Sequence, residues 1–241
     1  MPTKGRSALA QTALVDRGVN LHEDMRARVR ETAVAEIPNW YSPLAHLLFP
    51  STVGIACIVI AILEIRNLKP IELLLVPIVY LISNATEWRA HKFLLHKRTA
   101  PLQFLYDRHT PQHHMIFITE DMSMRSRREF RLVLIPFYGV LSILAVTVPI
   151  AVALTVGGYR NLGALFVITT TFYVLSYEWL HLAYHMPPAS FVGRLPGLAT
   201  LRKHHATHHD PQLMQKWNFN VTVPFWDWVR GTIYREKLKA P

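Results

Sequence analysis

Histidine is the residue this sequence concentrates. Eleven of its thirteen histidines stand in three short stretches: His91, His96, His109, His113 and His114; His181 and His185; and His204, His205, His208 and His209. A neutral imidazole is a borderline ligand that suits iron, zinc, copper or nickel. The single cysteine, Cys57, lies in an apolar run, so neither a thiolate site nor a disulfide framework can be built. A metal here must be held by histidine and carboxylate. One ion takes about four to six donors, so this many histidines suits two ions. On an α-helix, residues i and i+4 share a face. That spacing pairs His181 with His185, His205 with His209, and His109 with His113. His91 and His96, five apart, would stand roughly 140° from each other on an ideal helix. They converge only at a frayed helix end, or by serving different ions. Adjacent residues such as His113 and His114 cannot both face one ion from an undistorted helix, which points to two ions flanking one segment. The expected ligands are His91, His96, His109, His113, His114, His181, His185, His205, His208 and His209. Only one of His204 and His205 is required, and the spacing to His209 selects His205. The two remaining histidines, His22 and His46, read as surface or satisfied core residues.

Ten neutral ligands leave a large positive charge to be balanced by bound anions or nearby carboxylates. Glu87 precedes His91 by four residues and Glu178 precedes His181 by three. Both are expected to hold ligand N–H groups, as carboxylates behind metal-bound histidines do. Asp107 and Asp227 are further candidates for this role.

The elements that must position these residues are apolar. Leu44 to Leu63 has no charged residue over 20 positions, enough to cross a hydrocarbon core of about 30 Å. Ile71 to Ala85 follows, broken only by Glu72, and extends toward His91. Leu132 to Tyr159 is uncharged over 28 positions, and Pro136 or Pro149 could kink it. Gly157 to Asn161 reads as a turn, and Leu162 to Tyr177 is a fourth apolar run leading into His181. With four spans, 23 of the 26 Lys and Arg residues lie on one side, which is cytoplasmic by the positive-inside rule. All eleven clustered histidines fall on that side. The net charge of +10 is then a topology signal and gives no reason to invoke nucleic acid. The expected fold is all-α: a polytopic membrane protein of four transmembrane helices with a cytoplasmic helical cap holding a dimetal site. Residues 1–43 are expected to be a partly disordered cytosolic arm, with a short amphipathic helix from Leu21 to Ile37 as the alternative, and 44–241 the membrane-embedded catalytic domain. No secretory signal is evident. The tryptophans lie near the expected interfaces, where an aromatic belt is their ordinary role.

The four boxes H-K-F-L-L-H (91–96), H-T-P-Q-H-H (109–114), H-L-A-Y-H (181–185) and H-H-A-T-H-H (204–209) resemble those of the fatty acid hydroxylase superfamily. The tail N-F-N-V-T-V-P-F-W-D-W-V-R-G-T (218–232) is similar to the stretch after the last box in that family. The similarity covers Ser83 to Thr232. Its first and last boxes look closest to the fatty acid 2-hydroxylase branch. The second departs, with H-x3-H-H where that branch usually has H-x2-H-H, so the resemblance does not name the lipid. It implies an integral-membrane oxidoreductase with two iron ions, dioxygen as co-substrate and a membrane lipid, most simply a fatty acyl chain, hydroxylated at a C–H bond. Desaturation by the same oxidant is the alternative. The residues before the first span are too few for a fused cytochrome b5 domain, so the expected electron donor is separate: cytochrome b5-like, a ferredoxin or a reductase. A bacterial inner membrane is expected before the endoplasmic reticulum, although Lys237 and Lys239 are placed as in a dilysine retrieval signal. Two other classes compete. A metal transporter needs ligands near the bilayer centre, which the charge-free runs hardly offer. A structural zinc protein would show no redox dependence. Zinc in a purified sample would not decide, because zinc outranks ferrous iron in affinity.

Overall fold

The computed structural model describes residues 23–236; His22 and the two tail lysines lie outside the described residues. Regular structure among them is helical. The order is α1 (Glu23–Ala35), α2 (Pro43–Glu64), a 3-10 turn (Pro70–Leu74) running into α3 (Leu75–Ala90), and a π-helical turn (His91–Leu95). Next come α4 (Gln103–Arg108), a second π-helical turn (His109–His113), and the short α5 (His114–Ile116) and α6 (Phe130–Val133). The chain then forms α7 (Phe137–Val156), α8 (Arg160–Tyr184), α9 (Leu198–His208) and α10 (Phe225–Val229).

Among the described residues, three helical segments are long and apolar enough to cross a membrane: Pro43–Glu64, Pro70–Leu95 and Phe137–Val156. Their apolar side chains turn outward. Ile55, Ile60, Ile78, Ile82, Val146 and Val152 are exposed, an arrangement that suits lipid better than water. The expected fourth span corresponds to α8, which is not among the three. The physical reason is its polar content: Thr169, Thr171, Tyr173 and Glu178 lie buried along it. This helix packs against α2, α3 and α7, so the bundle's interior absorbs its polar groups. Close approach explains two glycines. A Cβ at Gly54 would meet Leu175 of α8 at 2.9 Å, and one at Gly163 would meet the Ala151 carbonyl of α7 at 2.8 Å. The expected turn lies between α7 and α8, where Gly158 takes a φ of +89°. Pro136 immediately precedes α7, while Pro149 sits inside it.

The alternative for the N-terminal arm, a short helix, is what its described part shows, with Glu23–Ala35 helical. Helix α1 is docked on the cap, and Arg30 is only 4% exposed. Its guanidinium donates to the carbonyls of Ile116 at 3.2 Å and Ser123 at 3.4 Å, and it lies 5.1 Å from the Phe117 ring centroid. Arg26 pairs with Asp121 at 3.3 Å. These arginines are held by protein groups. His46 is held at both nitrogens, by the Tyr41 hydroxyl at 2.7 Å and the Ile135 carbonyl at 3.0 Å, and is a satisfied structural histidine.

Candidate metal centre

The cap gathers the ten expected ligand histidines into two groups of five. The first is His91, His96, His109, His114 and His208; the second is His113, His181, His185, His205 and His209. Within each, one ring nitrogen per residue lies within 4.8 Å of all the others, and every member is buried. The groups adjoin: the rings of His114 and His209 stack at 4.2 Å between centroids. Adjacent residues do diverge, His113 and His208 going to opposite groups from His114 and His209. The pairs His181/His185 and His205/His209 stay together as their spacing suggests.

One pairing is overturned. His109 and His113 are four apart, yet they belong to different groups. The cause is the π-helical turn, in which the bond runs from residue i to i+5. The N–H of His114 donates to the His109 carbonyl, so the fifth residue shares the face. The additional residue of the H-x3-H-H box is taken up by that wider turn. The other π-turn does the same for His91 and His96, whose N–H and carbonyl are joined at 3.1 Å. Their five-residue spacing, awkward on an α-helix, is what a π-turn brings onto one face.

Proton positions follow from the partners. His208 gives its Nδ1 proton to the Trp217 carbonyl at 2.8 Å. Thr110 gives its hydroxyl proton to the Leu95 carbonyl at 2.7 Å, so at 3.3 Å from His96 Nδ1 it can only accept. Both histidines thus carry their proton on Nδ1. Their bare Nε2 lone pairs nevertheless face each other at 3.0 Å. No hydrogen bond can exist there, and a cation between them would reconcile the contact. Two nitrogens each about 2.1 Å from one ion stand about 3 Å apart when at right angles. In the second group His113, His185 and His209 donate Nδ1 protons to the carbonyls of Leu132, Met122 and Phe117 at 2.9, 2.9 and 2.7 Å. The Nε2 atoms of His113 and His185, and both nitrogens of His181, are buried without a hydrogen-bond partner among the described residues. Such orphans cost about 1–3 kcal/mol each, unless a metal takes them.

The model of the family described as Fatty acid hydroxylase matches residues 76–232. The chain belongs to the fatty acid hydroxylase family. No curated protein and no solved structure matches it. The match takes in all eleven clustered histidines, both π-turns and the 218–232 tail. A fatty acid hydroxylase is an integral-membrane oxidoreductase, and the apolar spans and histidine groups of this one are consistent with that.

Of the four candidate carboxylates in this family member, none bonds a histidine of either group in the way expected. Glu87 accepts from Tyr173, from the Thr222 hydroxyl at 2.6 Å and from the backbone N–H groups of Val221 and Thr222. It holds the tail, and His91 instead gives its Nδ1 proton to the Phe219 carbonyl. Glu178 accepts from the Ile135 N–H at 3.3 Å. Asp107 is at the surface, paired with Arg98 at 2.9 Å; Asp107→Asn is expected to leave metal content and melting temperature unchanged, by elemental analysis and a thermal melt. Asp227 contacts His204, at 3.1 Å, and His204 belongs to neither group. Burial alone would raise the Asp227 pKa, but bonds from His204, Thr232 and the Asn220 N–H outweigh it and hold the carboxyl below its ordinary value.

Sequence reasoning missed the tail carbonyls and Thr110, which set the tautomers, and Asn84. Fully buried, Asn84 donates to Tyr173, Thr222 and the Val223 carbonyl and accepts from the Trp226 N–H. Nothing marks an asparagine in an apolar run beyond its being out of place there. Trp88 also departs from the expected belt: it is 3% exposed and donates to Asp227 at 3.1 Å and to Thr232 at 3.0 Å. Burial pushes the imidazoles of His96, His109, His114, His185, His205, His208 and His209 well down, and that of His113 to about 3. They stay neutral at physiological pH, as metal ligands must.

Proposed function

We propose that this protein is an oxygen-dependent di-iron hydroxylase that inserts oxygen into a C–H bond of a membrane lipid, most simply a fatty acyl chain. The observation that carries the reading is the pair of abutting five-histidine groups, all nitrogen and all buried, in a chain of this family. Two ions suit two groups, and neutral imidazole without thiolate suits iron. When bound, the iron pair would supply the activation of dioxygen and the abstraction of hydrogen from an unactivated carbon. The chain's own contribution is to hold ten imidazoles neutral, to fix their tautomers through backbone carbonyls, and to exclude water. Helix α8 is the fourth span in this reading, with its polar groups turned inside the bundle. The cap then lies on the cytoplasmic side, in a bacterial inner membrane, where a separate one-electron donor of cytochrome b5, ferredoxin or reductase type can reach it.

Lipid mass spectrometry of cells expressing the wild type and His185→Ala tests the reading. A species one oxygen heavier, present only with the wild type, is expected. A species two hydrogens lighter would make the enzyme a desaturase. An unchanged lipid profile from iron-loaded protein would sink lipid oxidation altogether.

A further inference from the structure

The two histidine groups differ in the sign of the charge that grips the loops behind them. Behind the first group stands Asp227, fully buried. The carbonyl that takes the His91 Nδ1 proton belongs to Phe219. It shares one peptide unit with the N–H of Asn220, which donates to Asp227 Oδ2 at 2.8 Å. The Phe219 N–H donates to Oδ1 at 2.9 Å. Trp88 Nε1 at 3.1 Å, the Thr232 hydroxyl at 2.7 Å and His204 Nε2 at 3.1 Å complete the shell. The Thr232 hydroxyl accepts from Trp88, so its own proton is free to go to the carboxylate. Four donors of fixed polarity, two backbone N–H groups, the Trp88 indole and the Thr232 hydroxyl, converge on the two oxygens and hold the group as an anion. A peptide is a conjugated planar unit, and an anion on its N–H side polarises the carbonyl into a stronger acceptor. Carboxylate, peptide and imidazole therefore stand in series.

Behind the second group the loops are gripped by a cation, Arg30, itself flanked by Asp121 at 3.7 Å and Glu129 at 3.8 Å. Arg30 donates to the carbonyls of Ile116 and Ser123. These directly precede Phe117 and follow Met122, whose carbonyls take the Nδ1 protons of His209 and His185. Its guanidinium also lies over the Phe117 ring.

We propose that Asp227 is a positioning residue that makes the two metal positions unequal. Through the Phe219–Asn220 peptide it lends negative charge to His91 and hence to the first group, while Arg30 draws charge from the second. The first group is the tighter site for a divalent cation. This rests on the two-metal reading of the centre, and on neither the identity of the metal nor the reaction.

Metal-stripped full-length protein in lipid nanodiscs, titrated with Co2+ and followed by visible absorption and calorimetry, tests it. Two ions per chain in two affinity classes are expected. His185→Ala should remove the weaker class. Asp227→Asn should weaken the tighter class about 10–100-fold, the usual effect of losing such a partner, and shift its absorption bands. It should leave the weaker class in place, and Asp227→Glu should restore part of the loss. An Asp227→Asn isotherm that superimposes on the wild type overturns the proposal, as does equal weakening of both classes in a variant of unchanged helical content. Should the Asn variant lose helicity, the wild type and His185→Ala decide alone: a single affinity class in the wild type, or loss of the tighter class in His185→Ala, overturns it. Absence of Co2+ binding would overturn the two-metal reading as well. Two unequal sites in a protein that yields no lipid product would leave the proposal standing and overturn the hydroxylase reading.

Discussion

Acidifying the metal-free protein from pH 7.5 to 5.5 is expected to melt the histidine cap. Burial depresses the imidazoles of the cap in the folded chain, His113 to about 3. In the unfolded chain each titrates near its ordinary value of about 6.5. The unfolded state therefore binds more protons throughout the window between those values, and stability falls as pH falls through it. Above about 6.5 both states are neutral and the effect vanishes. Each depressed histidine costs about 1.4 kcal/mol per pH unit below that point, and eight such groups lie outside the spanning segments. A domain holds only about 5–15 kcal/mol in all, so the loss from even half of them is decisive. Bound metal opposes it by competing with the protons. A melting temperature that is level from pH 8 to 7 and drops steeply below 6.5, less so with metal restored, is the expected profile. A level profile down to pH 5.5 in the metal-free protein would show that the cap's histidines are not held neutral by burial.

Replacing Arg30 with leucine is the second large effect. Its guanidinium bonds two backbone carbonyls and faces Glu129 at 3.8 Å. Glu129 is 2% exposed and its Oε2 has no hydrogen-bond partner. Burial pushes the Glu129 pKa up and Arg30 pulls it down, so removing the cation leaves a buried carboxyl with its opposing charge gone. Breaking one side of a buried pair costs about 3–5 kcal/mol, and helix α1 should come loose from the cap. Limited proteolysis within 23–35 and a lower melting temperature are the readouts. Adding Glu129→Gln to the leucine variant should recover part of the loss, since it removes the stranded charge. An unchanged melt for Arg30→Leu would mean that α1 contributes nothing to the cap.

Three of the apolar helices and the clustering of the histidines were legible in the sequence because both rest on composition and position. A 20-residue uncharged run and a doubled histidine are visible without three-dimensional knowledge. The grouping was legible only where the helix is regular. His181 with His185 followed from α-helical spacing, while His109 with His114 did not, because a π-turn has no distinguishing composition. The carboxylates misled for a related reason. Closeness in sequence to a histidine put Glu87 and Glu178 forward, but a helix side chain is free to face away from its neighbour. Glu87 holds the distant Val221 and Thr222 instead. The docking of helix α1 escaped because its partners, Ile116, Asp121 and Ser123, lie about ninety residues away.

The bond between His91 and the Phe219 carbonyl spans 128 positions of chain, and His96 meets His208 across 112. Synthesis runs from one end, so the ribosome delivers the first histidines long before the partners that orient them. Until α9 and the tail emerge, His91 has no carbonyl to take its Nδ1 proton and neither group of five is complete. The first group does not take its final shape before residue 219 has been made, and a nascent chain stalled short of it lacks the carbonyl that His91 bonds.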